Sequence, residues 1–360
     1  SSYRPDDFEG SFTRRARSTT PKISPDMTQM TVETVGRGEA LSGKGYVYVV
    51  NDNSTRLYSF APLSGGQDLS WVNVDIWRDD AWRRRLNLQF EPDIVPDQIW
   101  TGALGTRKST DSLLLGLDND IFGLDLRPFD PARRGAWYSF GFLLRSVAVR
   151  QLDVGPDEFN LGYSMRHIDG KSRVEVFLAD QLENGAGFCT RLGESQQILQ
   201  LTTGLTDFLE ELERPPHTGC DSSCPACIRD YTNLIYHPLL DWRLGRDLFA
   251  LLMGGDIPIS EWKSTEEALA RAFAADFQGQ SRLLSGNVFA VDTDRVTMLI
   301  RHPFEKPTDE VDPESCDMTV RMDLAFLEAQ EDLGDRRIVF VNSFDLQRRP
   351  GWVATKLAEL

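Results

Sequence analysis

The stretch that decides the architecture lies at residues 220–231 and reads CDSSCPACIRDY. Its cysteines, Cys220, Cys224 and Cys227, have the spacing C-x3-C-x2-C, and the small residues between them let the chain fold around an ion. Free cysteines seldom crowd so closely together, so ordinary buried thiols are the weaker interpretation. With five cysteines in 360 residues, the pattern predicts a metal site and not a disulfide framework.

Three thiolates need a fourth ligand to close a tetrahedral zinc site. Cys189 is the preferred candidate, because the strand, turn and helix between it and Cys220 could form a hairpin that returns the chain to its start. His217 is the local alternative, and His237 and Cys316 are more distant ones. Four protein ligands leave no open coordination position, so we expect a structural zinc; a four-cysteine iron–sulfur cluster is the alternative cofactor.

Helical and strand patterns flank this cluster on both sides. Apolar residues recur at helical spacing over residues 198–212 before it and over residues 240–251 after it. Upstream, residues 136–149 predict a helix with one buried face, and residues 173–180 predict a strand. The glycine turn that follows, ENGAG at 183–187, could bind a phosphate through free N–H groups, but close packing beside the metal loop is the preferred interpretation.

The fold class predicted from these patterns is α+β, with a β-rich N-terminal part, a zinc-stapled α/β middle domain and a small α/β C-terminal module. Polar residues without periodicity start the chain, strand-like runs follow, and Gly254 and Gly255 suggest a boundary before the last module. The predicted divisions are an extended arm at 1–27, a β-rich part at 28–109, a zinc-binding domain at 110–255 and the module at 256–360.

The charge balance argues against a protein that wraps nucleic acid unaided. Lys and Arg total 39 against 55 Asp and Glu, which gives a net charge of −16, so any DNA contact should be local. Solvated surface charge is the ordinary interpretation of basic clusters, but clusters beside tryptophans could pair phosphate contacts with base stacking. The candidate DNA-binding residues are Arg83, Arg84, Arg85, Arg133 and Arg134.

The absence of certain sequence signals indicates the expected cellular compartment and argues against catalysis. It has neither a signal-peptide core nor the roughly 18 consecutive apolar residues of a membrane span, so we expect a cytoplasmic protein without membrane contact. No nucleophile-elbow motif supports a catalytic triad, and the chain alone is expected to have no activity. The alternative is a metal-dependent nuclease subunit using Asp292, Asp294 and Glu305, although an Asp-rich hairpin is usually just a turn.

Several segments between residues 110 and 252 together resemble one family, the MrfA-type zinc-binding domain associated with superfamily 2 helicases. Two segments carry the resemblance most specifically: VFLADQLENGAGFCTRL at 176–192 and CDSSCPACIRDYTNLIYHPLLDWRLGRDL at 220–248. The resemblance implies that zinc is held by Cys189, Cys220, Cys224 and Cys227.

The segments ENGAG and LDWRL are most similar to the corresponding segments of family members from phage-defence islands, such as the DrmA and DrmB proteins of DISARM systems. Members of the family act with helicase motor domains, in the same polypeptide or as a partner chain, in DNA repair or defence. The resemblance therefore implies a zinc-binding accessory part of an ATP-dependent DNA helicase assembly, with the helicase activity located in the motor.

Overall fold

The computed structural model describes residues 21–51, 57–62, 71–73, 99–306 and 318–359. Within these ranges the chain is α+β with a β-rich N-terminal region, as the sequence predicts. The strands are β1 (Lys22–Val35), β2 (Gly38–Asn51), β3 (Tyr58–Pro62), β4 (Trp71–Asn73), β5 (Trp100–Gly102), β6 (Leu104–Asp118), β7 (Phe159–Ile168), β8 (Lys171–Asp180), β9 (Gln280–Leu284), β10 (Val288–Asp292), β11 (Val296–Arg301) and β12 (Arg337–Asn342). The α-helices are α1 (Pro131–Leu152), α2 (Phe188–Leu192), α3 (Ser195–Leu212), α4 (Trp242–Leu252), α5 (Ile259–Asp276), α6 (Val320–Glu331), α7 (Ser343–Arg348) and α8 (Pro350–Ala358).

The largest sheet is antiparallel, with the strand order β1-β2-β6-β8-β7. Its central strand, β6, carries a leucine run that is buried on both faces, which is why it reads as continuously apolar. β6 also crosses the division that the sequence suggested between residues 109 and 110, and it pairs with β2 on one side and β8 on the other. The N-terminal strands and the strands of the middle region therefore form one sheet, and β1 begins at Lys22, inside the predicted arm.

Helix α1 packs against this sheet and is buried from Pro131 to Arg145. Asp130 caps its N-terminus by accepting the Arg133 N–H at 2.8 Å. The sequence predicted one buried face, but α3 and α4 cover the opposite side. Two glycines allow this enclosure: a Cβ on Gly135 would lie 2.2 Å from the Leu239 carbonyl oxygen, and one on Gly141 would lie 2.6 Å from a Val176 methyl carbon.

The basic pair in α1 is part of the buried interior, which corrects its predicted role in DNA binding. Arg133 forms ion pairs with Asp125 and, at 2.6 Å, with Asp130. Arg134 donates to the Phe129 carbonyl at 3.2 Å, and both arginine side chains are buried. Buried charges require such partners, so these guanidinium groups stabilise the start of α1 and present no surface to a phosphate.

A second sheet, in the order β12-β11-β10-β9, organises the C-terminal module. β11 and β12 are parallel and are connected through α6, which packs on one face of the sheet, while α5, α7 and α8 cover the other. Asp247 of α4 joins this module to the rest: its carboxylate lies 3.1 Å from His302 Nε2 and accepts the Trp262 indole N–H at 2.8 Å. All three side chains are buried.

The close crossing of α1 and α4 at Gly245 gives a test of the fold. A Cβ at Gly245 would lie 2.8 Å from the Phe140 backbone nitrogen and 2.7 Å from a Leu143 methyl carbon. Because the backbone of α1 can move away only at a high cost in energy, Gly245→Ala should lower the free energy of unfolding by about 1–3 kcal/mol. A lower melting temperature would measure this loss. Gly351→Ala is the matched control, since no atom lies within 4 Å of its added Cβ. Equal melting temperatures for the two variants would contradict the packing described.

Candidate metal centre

The candidate metal site lies in the segment between α3 and α4. α3 ends at Leu212, and Pro215 and Pro216 prevent its continuation; a 3-10 turn at His217–Gly219 follows. The chain re-enters a helix at α4, where the Asp241 side chain accepts the Arg243 N–H at 3.1 Å. All the candidate ligands come from the irregular stretch that these two helices bracket.

Four side chains converge in this segment: His217, Cys220, Cys224 and Cys227. One ligand atom from each lies within 4.8 Å of all the others. Zinc bonds of about 2.3 Å to sulfur and about 2.0 Å to nitrogen place tetrahedral ligands roughly 3.5–3.8 Å apart. Small movements of the side chains would therefore close the cluster around one ion. Three cysteines and one histidine are also a donor set typical of structural zinc sites.

The hydrogen bonding of His217 fits a metal ligand. Its Nδ1 lies 2.7 Å from the Leu212 carbonyl oxygen, and since a carbonyl can only accept, Nδ1 carries the proton. Nε2 then has a free lone pair, and this buried atom has no hydrogen-bond partner. Histidines that ligate metals commonly donate their other ring N–H to a carbonyl in this way. The edge-to-face contact with Trp242, 5.5 Å between ring centroids, holds the imidazole ring in place.

The three thiols differ in environment. Burial raises the pKa of Cys227 to about 12 and also raises the pKa of Cys220. Burial opposes ionisation of Cys224 as well, but hydrogen bonds from the Ala226 backbone and from neighbouring thiols lower its pKa overall. Zinc binds thiolates, so binding of the ion would displace the protons that burial retains on the other two cysteines.

Cys189 does not belong to this cluster, and the fourth candidate ligand that lies beside the three cysteines is His217. The Cys189 thiol is fully buried in α2, and the Cys189 N–H donates to Asp180 at 3.0 Å. The physical reason is the rigidity of α3: an 18-residue helix spans about 27 Å, and Cys189 precedes its first turn while His217 follows its last. His237 is also absent from the cluster, because its Nε2 lies 2.7 Å from Asn233 Oδ1 within its own turn. Cys316 lies outside the described residues.

The ENGAG turn is organised by carboxylates. Asp180 accepts the N–H groups of Ala186 at 2.7 Å and Phe188 at 3.1 Å, and Asp111 accepts that of Gly187 at 3.2 Å. These are the donors that a bound phosphate would need. The turn therefore supports the packing interpretation, although it folds onto the end of β8 and not beside the metal cluster.

The remaining predicted residues are distributed elsewhere. Asp292 pairs with Arg282 at 2.7 Å and with Arg336 at 2.8 Å. Glu305 is buried and pairs with Arg321 at 2.7 Å. Asp294 is exposed in the hairpin turn between β10 and β11. Among the described residues, neither Asp292 nor Glu305 belongs to a group that could hold a metal ion. Arg83, Arg84 and Arg85 lie outside the described residues.

Comparison with known proteins gives two similarities. The sequence matches no established family profile. It is 30% identical over 238 residues to the Druantia protein DruE of Escherichia coli, a similarity that covers 62% of this chain and 12% of DruE. The crystal structure of the DUF1998 helicase MrfA bound to DNA aligns with 65% of this chain and 24% of its own, at 11% identity and a TM-score of 0.33. That structural likeness is too low to carry an argument.

Over the part of the chain that the structure describes, the helices are too short or too polar to cross a membrane.

Metal content separates the two candidate fourth ligands. We expect about one zinc per chain in the purified protein, and loss of the ion in His217→Ala and in Cys224→Ser, because each removes a ligand of a closed site. Both variants should also melt at a lower temperature. The measurement is elemental analysis after gel filtration, combined with thermal melts.

Two controls match these variants by residue type. Cys189→Ala and His237→Ala should each keep the full zinc content, since neither side chain lies in the cluster. Retention of zinc in His217→Ala together with its loss in Cys189→Ala would overturn the assignment. If the protein instead contains iron and absorbs visible light, the site holds an iron–sulfur cluster and not zinc.

Proposed function

We propose that this chain is a zinc-binding, helicase-associated module of an assembly that acts on DNA in phage defence, DISARM-like or of another kind, or in DNA repair. The carrying observation is the cluster of three thiols and one imidazole, which offers four protein ligands to one ion. Such a closed site leaves no coordination position for water or substrate, so its role is structural. The proposal therefore gives the ion no catalytic role and assigns the ATP-dependent activity to the helicase motor.

When bound, zinc would supply folding free energy to a segment with little regular structure of its own. Hydrogen bonds from side chains and from the backbone already connect this segment to the start of α4. The Trp242 indole N–H donates to the Cys220 carbonyl at 3.1 Å, its backbone N–H donates to the Ser222 carbonyl at 2.8 Å, and Ser223 Oγ donates to the Leu240 carbonyl at 3.0 Å. The ligand loop, residues 217–227, and the first turn of α4 would therefore form one stable unit that a partner could bind.

The association with a helicase rests on sequence. The motifs around Cys189 and Cys220 resemble the MrfA-type zinc-binding domain, and the similarity to DruE covers 62% of this chain. Because that similarity spans only 12% of DruE, the helicase motor is a further part of the proposal, placed in the same polypeptide or in a partner chain. We place the assembly in the cytoplasm, where phage or damaged DNA would be met.

The competing function, a metal-dependent nuclease, has less support. A catalytic carboxylate must be free to bind a metal ion, but Asp292 lies between two arginines and Glu305 is buried against Arg321. These ion pairs account for both carboxylates as structural groups. Magnesium-dependent cleavage of DNA that is lost in Asp292→Asn would reverse this preference.

DNA binding should depend on the partner. With a net charge of −16, the isolated chain should bind a duplex with an overhang weakly, and the assembly should bind it tightly. Arg83, Arg84 and Arg85 are candidates for a DNA-binding surface that the chain forms together with its partner. If they contribute to it, replacing all three by Ala should weaken DNA binding and reduce the salt dependence of the affinity by up to about three phosphate contacts. Fluorescence titrations at several salt concentrations measure both effects.

A charge-matched control replaces three exposed arginines together by Ala: Arg150 on α1, Arg271 on α5 and Arg214 just after α3. This variant loses the same formal charge and should keep the salt dependence of the original protein. Tight, salt-sensitive binding by the isolated chain would contradict the accessory role, and an unchanged slope in the first variant would remove that cluster from the DNA path.

A further inference from the structure

Helix α6 has apolar residues on two opposite faces. One face packs into the core of the C-terminal module through Met322, Ala325, Phe326 and Ala329, against strands β9 to β12. The other carries Val320, Leu324 and Leu327, which are 68%, 47% and 57% exposed. Their spacing of four and three residues aligns them along one line of the helix surface. We call these three residues the α6 stripe.

A surface helix ordinarily turns a polar face to solvent. Single exposed apolar side chains are common and need no explanation, but a row at this spacing is the arrangement through which one helix packs on another. Near its N-terminal end, Gly123 packs against Thr319, and Phe122, the residue before Gly123, is also exposed. The stripe thus has the residue spacing of a short helix-packing seam.

The rim of the stripe is acidic. Asp323 lies on one side, Glu328 on the other, and Glu331 follows at the C-terminal end of the helix. Glu328 accepts the Ser285 backbone N–H at 2.7 Å, and hydrogen bonding to Ser285 lowers its pKa, so it stays ionised at neutral pH.

The basic residue of α6 does not neutralise this rim. Arg321 points inward, where its Nε lies 2.7 Å from Glu305 Oε1 and its Nη2 lies 3.4 Å from Glu266 Oε1. Outside the helix, the charge of Arg282 helps to lower the pKa of Glu328, and Arg282 lies 3.6 Å from Asp332. With Asp323 and Glu331 added, the exposed surface of α6 combines an apolar row with net negative charge.

We propose that the α6 stripe docks an amphipathic helix of a partner protein, whose apolar residues are spaced three and four apart and are flanked by Lys or Arg. The apolar row supplies buried area, and the acidic rim selects a basic partner. A second copy of this chain fits poorly, because the two acidic rims would face each other. Neither the metal site nor a helicase takes part in this interaction, which involves the C-terminal module alone.

Two synthetic peptides of about 18 residues test the proposal with the complete chain. They share one leucine row at helical spacing, flanked by Lys in the first and by Glu in the second. Fluorescence anisotropy should show binding of the Lys peptide and not of the Glu peptide. Leu324→Gln keeps all charges but removes apolar contact, and it should weaken binding of the Lys peptide about tenfold. Leu199→Gln is the matched control: this leucine of α3 is 66% exposed, and its replacement should change nothing.

Three outcomes would overturn the proposal. Equal binding by the original protein and Leu324→Gln would reduce the interaction to charge alone. A fall of several degrees in the melting temperature of Leu324→Gln would show that this chain covers the stripe itself, because an exposed position should move it by about two degrees or less. A dimer in sedimentation that Leu324→Gln converts to a monomer would assign the stripe to a second copy.

Discussion

The burial of α1 is the constraint on which the neighbouring segments depend. A helix enclosed on all sides cannot leave its guanidinium groups uncompensated, because an unpaired buried charge costs several kcal/mol. Arg133 is satisfied by Asp125 and Asp130 just before the helix, and Arg145 by Asp230, which follows the last cysteine of the metal loop. The same helix therefore orders both the loop that precedes it and the segment that follows the three cysteines.

The pairing of Arg145 with Asp230 connects the core to the candidate metal centre. Asp230 also caps the turn at Tyr231–Leu239 by accepting the Thr232 and Asn233 N–H groups at 2.7 and 3.1 Å. The ligand loop is thus bounded by α3 on one side and by this cap on the other. An ion bound to His217 and the three cysteines would fix the chain between α3 and Asp230. The metal, the cap and the Arg145–Asp230 ion pair would then stabilise the same segment.

Much of the local structure could be predicted because periodicity and cysteine spacing are local signals. The helix predicted over 198–212 is confirmed as Ser195–Leu212, and the strand predicted over 173–180 is confirmed as Lys171–Asp180. The prediction that three cysteines gather in one cluster is also confirmed. Local spacing offered both Cys189 and His217 as the fourth candidate ligand and could not decide between them, because the choice depends on how far a rigid helix carries the chain.

The role of buried arginines was equally hidden. Two adjacent arginines near a tryptophan could form a phosphate-binding surface, and only the fold shows that Asp125 and Asp130 pair with Arg133 while Arg134 donates to the Phe129 carbonyl. The exposed row on α6 was missed for a related reason, since apolar spacing alone does not reveal which of two faces packs on the sheet. Both failures concern partners that are set by tertiary structure.

X-ray absorption at the zinc edge tests the central claim most directly, since it reports the ligands of the ion in the intact protein. The geometry of the cluster predicts three sulfur atoms at about 2.3 Å and one nitrogen atom at about 2.0–2.1 Å. A shell of four sulfur atoms without nitrogen would return Cys189 or another thiol to the site. It would contradict the arrangement of His217, Cys220, Cys224 and Cys227 on which the account of this loop depends.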